Sequence, residues 1–211
     1  MLLIFKATIG ISLLFTAVSA SAQNKVGNGG NVVYCKKAAP DKNTAELLDF
    51  YENNIHLASA EANPHAIAQK QLEELKLIAP QLAEQYIKRL SEIDGEIDLK
   101  SDVLLTPIPD SYHLFKPLEA NCEILQTAIR RAQIVSSEKR FLIRQDLWNQ
   151  MAPLQKAGLL THEIIYEHLA KLGEENSIKV RKLNAFLYSK NSKKEDFWNL
   201  VKELEVPIYP R

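Results

Sequence analysis

Glycine is scarce: four of the seven in the 211-residue chain fall within the first 30 positions, and three of those sit together in Gly27-Asn28-Gly29-Gly30. That cluster has no Lys-Ser/Thr after it and opens no helix, which excludes a phosphate-binding loop. Few glycines elsewhere also mean few flexible joints, and no change of composition marks a second domain. Cysteine is limited to two residues, Cys35 and Cys122. Neither has a Cys or His partner two to four residues away, so a structural zinc site has no support from spacing. No G-x-S-x-G elbow occurs, and neither cysteine lies in a nucleophile motif. Charge of one sign is also lacking, with 26 basic and 26 acidic side chains. A dedicated nucleic-acid binder would show a concentrated basic excess, and none is expected here.

Long apolar runs are missing after residue 22, and what stands before it reads as a cleavable secretory signal. Ala7–Ala20 supplies the apolar stretch, Ala20-Ser21-Ala22 a small-residue cleavage site, and Lys6 a thin positive flank. Met1–Phe5, apolar and ahead of that lysine, would lengthen the run to about the 20 residues of an uncleaved anchor, but the cleavage site favours removal. The expected mature chain runs from Gln23 to Arg211 as one domain, with no stable membrane insertion after cleavage and a periplasmic or secreted location. Residues 23–121 carry 10 basic and 15 acidic side chains, against 15 and 11 in 122–211, so the two halves attract each other. In an oxidising compartment an even cysteine pair predicts a Cys35–Cys122 disulfide. Closing that 88-residue loop would stabilise the fold by about 4–5 kcal/mol in the chain-entropy model.

The pattern along the mature chain predicts an α-rich α+β domain with a small β-sheet, a C-terminal helical hairpin and a terminal helix. Residues 23–43 read as a flexible Gly-rich lead-in and a first strand at Val32–Cys35. Thr44 looks like the N-cap of a helix carrying Leu47, Leu48, Tyr51 and Ile55. A helical run from Leu72 to Leu90 is interrupted by Pro80, which kinks it or starts a new helix. Short strands are expected at Ile97–Lys100 and Arg140–Ile143, while Cys122–Ile129 fits strand or helix. Asp146 is placed to cap Leu147–Met151, Pro153 to open a helix reaching Leu172, Gly173 to terminate it, and Ser177 to cap the next.

One stretch carries a chemical suggestion. Zinc hydrolases place H-E-x-x-H on a helix because i and i+4 put both imidazoles on one face, with the glutamate beside the metal-bound water. His162-Glu163 is present, but Tyr166 stands where the second histidine belongs. His168 is no substitute, since six residues advance the helix by about 600°, some 240° away from His162. On a helical wheel Ala157, Leu160, Ile164, Ile165 and Leu172 share an apolar side with His168 near its centre, a structural position. His162 and Tyr166 fall beyond its flank. Glu163, Glu167 and Lys171 form an i, i+4 ladder expected to begin in solvent. The bland expectation is a core helix with a solvated face; the chemical one gives His162 as metal ligand, Glu163 as base and Tyr166 as ligand or oxyanion donor.

The run LLTHEIIYEHLAKLGEENSIKVRKLNAFLYS, with GNGGN…C upstream and NCEILQTAIRR between, resembles a family of uncharacterised exported proteins of Bdellovibrio-type predatory bacteria and their relatives. The resemblance covers most of the mature chain, and implies export and a single compact domain but no reaction.

Two functions are therefore carried forward. One is a non-catalytic binding or structural envelope domain without a cofactor, its partner unknown and either an envelope polymer or a protein. The other is a divergent metal-dependent hydrolase that holds zinc on the HExxY helix. Arg130-Arg131 and Lys179, Arg181 and Lys182 are candidate anion contacts, more often solvated faces. His56, His65 and His113 are scattered histidines that folding would have to bring to His162.

Overall fold

A computed structural model of the chain describes residues 27–28, 30–40, 43–105, 117, 119–131, 137–189 and 193–208. The signal segment 1–22 and His113 lie outside the described residues. The α-rich α+β class expected from the sequence is what the chain forms, with its strands shared between two small sheets.

In the three-stranded sheet, β2 (Asn31–Cys35) lies between β3 (Thr44–Leu47) and β5 (Cys122–Gln126), antiparallel to both. The other sheet runs β1 (Gly27–Asn28), β6 (Ala128–Arg130), β7 (Phe141–Arg144), β4 (Ile97–Lys100). Its β4–β7 pair is parallel and the remaining pairs are antiparallel. The chain passes between the sheets at two places that touch. Gly30 joins β1 to β2, Thr127 joins β5 to β6, and the Gly30 carbonyl accepts the N–H groups of both Thr127 and Ala128 at 3.0 and 3.1 Å. Gly27–Asn28 is thus a paired strand and Gly30 a sheet junction. Cys35 and Cys122 face each other in the β2–β5 register, with Cα atoms 4.1 Å apart, and form the expected disulfide.

Seven helices complete the described residues: α1 (Leu48–Glu52), α2 (Pro64–Leu75), α3 (Pro80–Ile93), α4 (Gln145–Gln150), α5 (Pro153–Lys171), α6 (Ile178–Leu187) and α7 (Lys194–Glu203). Pro80 starts a new helix, at a first-turn position where its missing N–H costs nothing. Gly173, at φ +100°, terminates α5 in the left-handed region as expected. Helix α5 is the hub, touched by α1, α2, α3, α6 and β3. No helix among the described residues is long and apolar enough to cross a membrane.

Three local expectations fail for identifiable reasons. Thr44 begins a strand and caps no helix, because Ala45 and Leu47 turn inward while Thr44 and Glu46 turn outward, a period of two. The helix starts only at Leu48. Asp146 does not cap α4; its carboxylate is held by Arg144 at 2.6 Å. Ser177 sits at the N-cap of α6, but its hydroxyl accepts from Arg181 Nη1 at 2.8 Å and leaves the helix N–H groups alone.

Candidate functional site

Helix α5 was expected to bury one side only. From Ala157 to Glu167 every residue is buried, with His162 at 0 % and Glu163 at 1 % exposure. The expectation of a solvated glutamate ladder is therefore corrected. Elements pack around the whole circumference of this helix, so the wheel has no free face for polar residues to occupy. They persist inside because each is given polar neighbours, the condition on which burial of such groups is tolerated.

His162 Nδ1 lies 2.8 Å from Oδ2 of Asp49, on α1 and fully buried. Asn184, on α6, donates to the same Asp49 oxygen at 2.6 Å and to the Gly158 carbonyl at 2.9 Å. The Thr161 hydroxyl stands 2.6 Å from Asn184 Oδ1 and 3.4 Å from the Tyr188 hydroxyl. The residue after His162, Glu163, accepts the backbone N–H of Gly30 through Oε1 at 2.7 Å. The glycine cluster and the His-Glu pair, 133 positions apart in the chain, thus meet directly in space. A Cβ on Gly30 would come within 2.1 Å of Leu159 Cδ1, so the close approach needs a glycine there.

The charges follow from this packing. Burial works to lower the His162 pKa, but the adjacent Asp49 charge and hydrogen bond outweigh it and hold the imidazolium above its usual 6.5. Burial pushes the Glu163 carboxyl above its usual 4.5, against the opposing pull of His162 and the Gly30 N–H. Glu167 is a separate hub. Its burial is outweighed by Arg89 on Oε2 at 2.7 Å and Lys171 on Oε1 at 3.0 Å, which lower its pKa, and Arg140 joins Lys171 on Oε1.

Tyr166 is buried beside this cluster, its ring 6.4 Å from the His162 ring and beneath the Arg130 guanidinium at 5.9 Å. His168 is only partly buried, contrary to its expected place at the centre of the apolar side, and its Nδ1 meets the Tyr86 hydroxyl at 2.9 Å. Among the described residues, the scattered histidines pair elsewhere: His65 with Asp94 at 2.8 Å, while His56 lies 3.8 Å from Glu46. The candidate anion contacts are largely neutralised within the fold. Arg131 meets Asp98 at 3.2 Å, Lys179 meets Glu174 at 2.6 Å, and buried Arg181 meets Glu52 at 2.9 Å.

Asp49, Asn184 and Gly30 are the members of this cluster that periodicity could not reveal. Asp49 reads as an ordinary polar residue in a short helix. Only its place between buried Leu48 and Phe50 hinted that it too was enclosed.

As a metal site the cluster fits poorly. Among the described residues, the acidic and sulfur or imidazole donors that approach within 4.8 Å as a set of three are Cys35, Cys122 and Glu119. There the two sulfurs are bonded to each other and offer no thiolate. His162, Glu163 and Tyr166 share one helix and form no set of three such donors among the described residues, and a ligating imidazole would first have to give up its proton.

No family model, curated protein or solved structure matches this chain.

Proposed function

We propose that this protein is a non-catalytic binding or structural domain of the cell envelope, exported by a cleavable signal to the periplasm or the exterior. In this reading the HExxY helix is the polar centre of its core. The observation that carries the proposal is the enclosure of His162 and Glu163, each hydrogen-bonded to another part of the chain and each removed from solvent. A general base or metal ligand has to reach substrate or water, and these two reach Asp49 and Gly30. The Cys35–Cys122 disulfide and the absence of a spanning helix among the described residues agree with an exported protein. The resemblance to exported proteins of predatory bacteria points the same way.

A specific observation favours the second reading, a divergent metal-dependent hydrolase. Asp49 binds His162 through Nδ1, and Nε2 has no hydrogen-bond partner. Carboxylates orient metal-bound histidines in this manner. Glu163 Oε2 is similarly without a partner.

Metal analysis of the purified mature protein separates the two. The binding-domain reading expects zinc well below one equivalent per chain, unchanged by His162→Gln. Stoichiometric zinc lost in His162→Gln would establish the hydrolase reading in its place.

A further inference from the structure

Strand β4 is the margin of its sheet, bonded to β7 on one side only. In the β6–β7 pair the Arg131 N–H bonds to the Arg140 carbonyl at 2.8 Å, and the Arg144 N–H to the Thr127 carbonyl at 2.9 Å. Even-numbered residues of β7 therefore turn their backbone groups toward β6, and Phe141 and Ile143 turn theirs toward β4. In a parallel ladder such a residue bonds to the two that flank its partner. The partners are Ile97 for Phe141 and Leu99 for Ile143, so Asp98 and Lys100 bond into the sheet. Ile97 and Leu99 then point their N–H and C=O groups outward. Ile97 agrees with this parity, since its carbonyl accepts from Lys139 Nζ at 2.8 Å. Among the described residues no group takes the outward N–H and C=O of Leu99.

This edge is open to solvent. Leu99 is 40 % exposed, and Lys100 and Ser101 after it are exposed as well. Ile97 packs against the core, and Leu99, two residues on, carries the same apolar face out to the margin. Asp98 and Lys100 stand on the opposite face, with Lys100 Nζ 3.6 Å and Arg131 3.2 Å from the Asp98 carboxylate. Charged residues commonly keep an exposed edge from pairing. Here one acid and one base, two positions apart around Leu99, are complementary to their own reverse.

We propose that β4 is a self-recognition edge, through which two copies of this chain pair antiparallel about a two-fold axis at Leu99. Backbone parity requires an outward residue to face an outward residue, and charge selects among the registers that satisfy it. Ile97 against the partner's Leu99 would set the two Asp98 residues face to face. Leu99 against the partner's Ser101 would do the same to the two Lys100 residues. Like charges directly opposite each other are destabilising. Leu99 against Leu99 instead sets Asp98 of each copy opposite the partner's Lys100, at a Cβ separation of about 4.5–5.5 Å. That is closer than the about 6–7 Å between these positions along one strand. In the same register the two Leu99 residues exchange both backbone hydrogen bonds and cover each other's side chains. The contact uses the same edge in both copies, so it closes at a dimer. With four residues in each strand the interface is small and the dimer reversible. This inference is independent of how the His162 helix is read.

The test is sedimentation velocity of the mature, disulfide-bonded protein from about 1 μM to about 1 mM, where a reversible monomer–dimer equilibrium is expected. Lys100→Asp and Asp98→Lys each place like charges across the axis and should weaken dimerisation at least about tenfold. An equimolar mixture of the two variants should restore dimers, because opposite charges again face each other at both positions. Leu99→Pro removes the outward N–H while leaving the ladder to β7 intact, a substitution an edge strand tolerates. It should abolish dimers with an unchanged far-UV circular dichroism spectrum. A monomer throughout the concentration range would overturn the proposal, and that measurement needs no variant to fold. So would a dimer unaffected by Lys100→Asp and Leu99→Pro, or a mixture of the two folded charge variants that stays monomeric.

Discussion

His162 Nδ1 and Asp49 Oδ2, 113 positions apart in sequence, meet at 2.8 Å with both side chains closed to solvent. This pair ties α5 to α1, and Asn184 extends the tie to α6. Truncating one partner of a buried ion pair leaves the other charge uncompensated, at a cost of about 3–5 kcal/mol. Asp49→Ala should lower the free energy of unfolding by that amount in urea titrations, since it strips both His162 and Asn184 of an acceptor. A loss under about 1 kcal/mol would show that the pair does not hold these helices together.

The pair also predicts a pH dependence. Folding raises the His162 pKa, so the folded protein holds that proton more tightly than the unfolded chain. The resulting stability is complete below the ordinary value of 6.5 and is lost as pH rises through the folded value. Asp49→Asn removes the charge responsible. Thermal melts of the two proteins from acid to alkaline pH should therefore show their greatest separation below pH 6.5 and a narrowing gap above it. A gap that widens with pH would reverse the sign and contradict the assignment. His168, whose pKa is lowered by burial and by Lys171, affects both proteins alike and cancels in the difference.

Gly158 lies inside α5, where alanine would ordinarily gain about 0.5–1 kcal/mol. A Cβ there would come within 2.4 Å of Phe50 Cζ and 2.8 Å of Leu47 Cδ2, both on buried residues. Overpacking of this kind costs about 1–3 kcal/mol. Gly158→Ala should destabilise the protein by about 1 kcal/mol in denaturant unfolding; a more stable variant would mean that Phe50 and Leu47 yield freely.

The disulfide makes a prediction independent of the helix. Replacing both Cys35 and Cys122 with serine should lower stability by up to about 4–5 kcal/mol, the loop-closure value for a crosslink of this span. Non-reducing peptide mapping of the protein from the producing cell should find the two cysteines in one linked peptide. Two alkylatable thiols in the native protein would refute the pairing.

Much of the frame was legible from local rules. Pro80 and Pro153 at helix starts, Gly173 at a helix end and the alternation of Ile97–Lys100 were each set by short-range chemistry, and the structure holds them as expected. The cysteine count likewise pointed to the bridge. Thr44 misled because a Thr before Leu47, Leu48, Tyr51 and Ile55 matches a capped helix, yet pairing with β2 overrode that pattern. Burial of α5 was the larger miss. A wheel ranks the faces of one helix against each other, but it says nothing of how many neighbours surround it. Glu163 and Glu167 look solvated beside Lys171 until Gly30, Arg89 and Arg140 arrive from other parts of the chain. Gly30 and Gly158 were the available signals that backbone or side chains press closely there.

The central claim, that the His-Glu helix serves structure and not chemistry, is tested most directly at Glu163. Burial raises its pKa toward the neutral carboxyl, and glutamine is nearly isosteric with that form while keeping an oxygen to accept the Gly30 N–H. Glu163→Gln should therefore change stability by less than about 1 kcal/mol. With no base to lose, it should restore function to a deletion strain of the producing bacterium as fully as the wild type does. A Glu163→Gln protein that is exported, disulfide-bonded and as stable as the wild type, yet fails to complement, would contradict the account and make Glu163 a catalytic base.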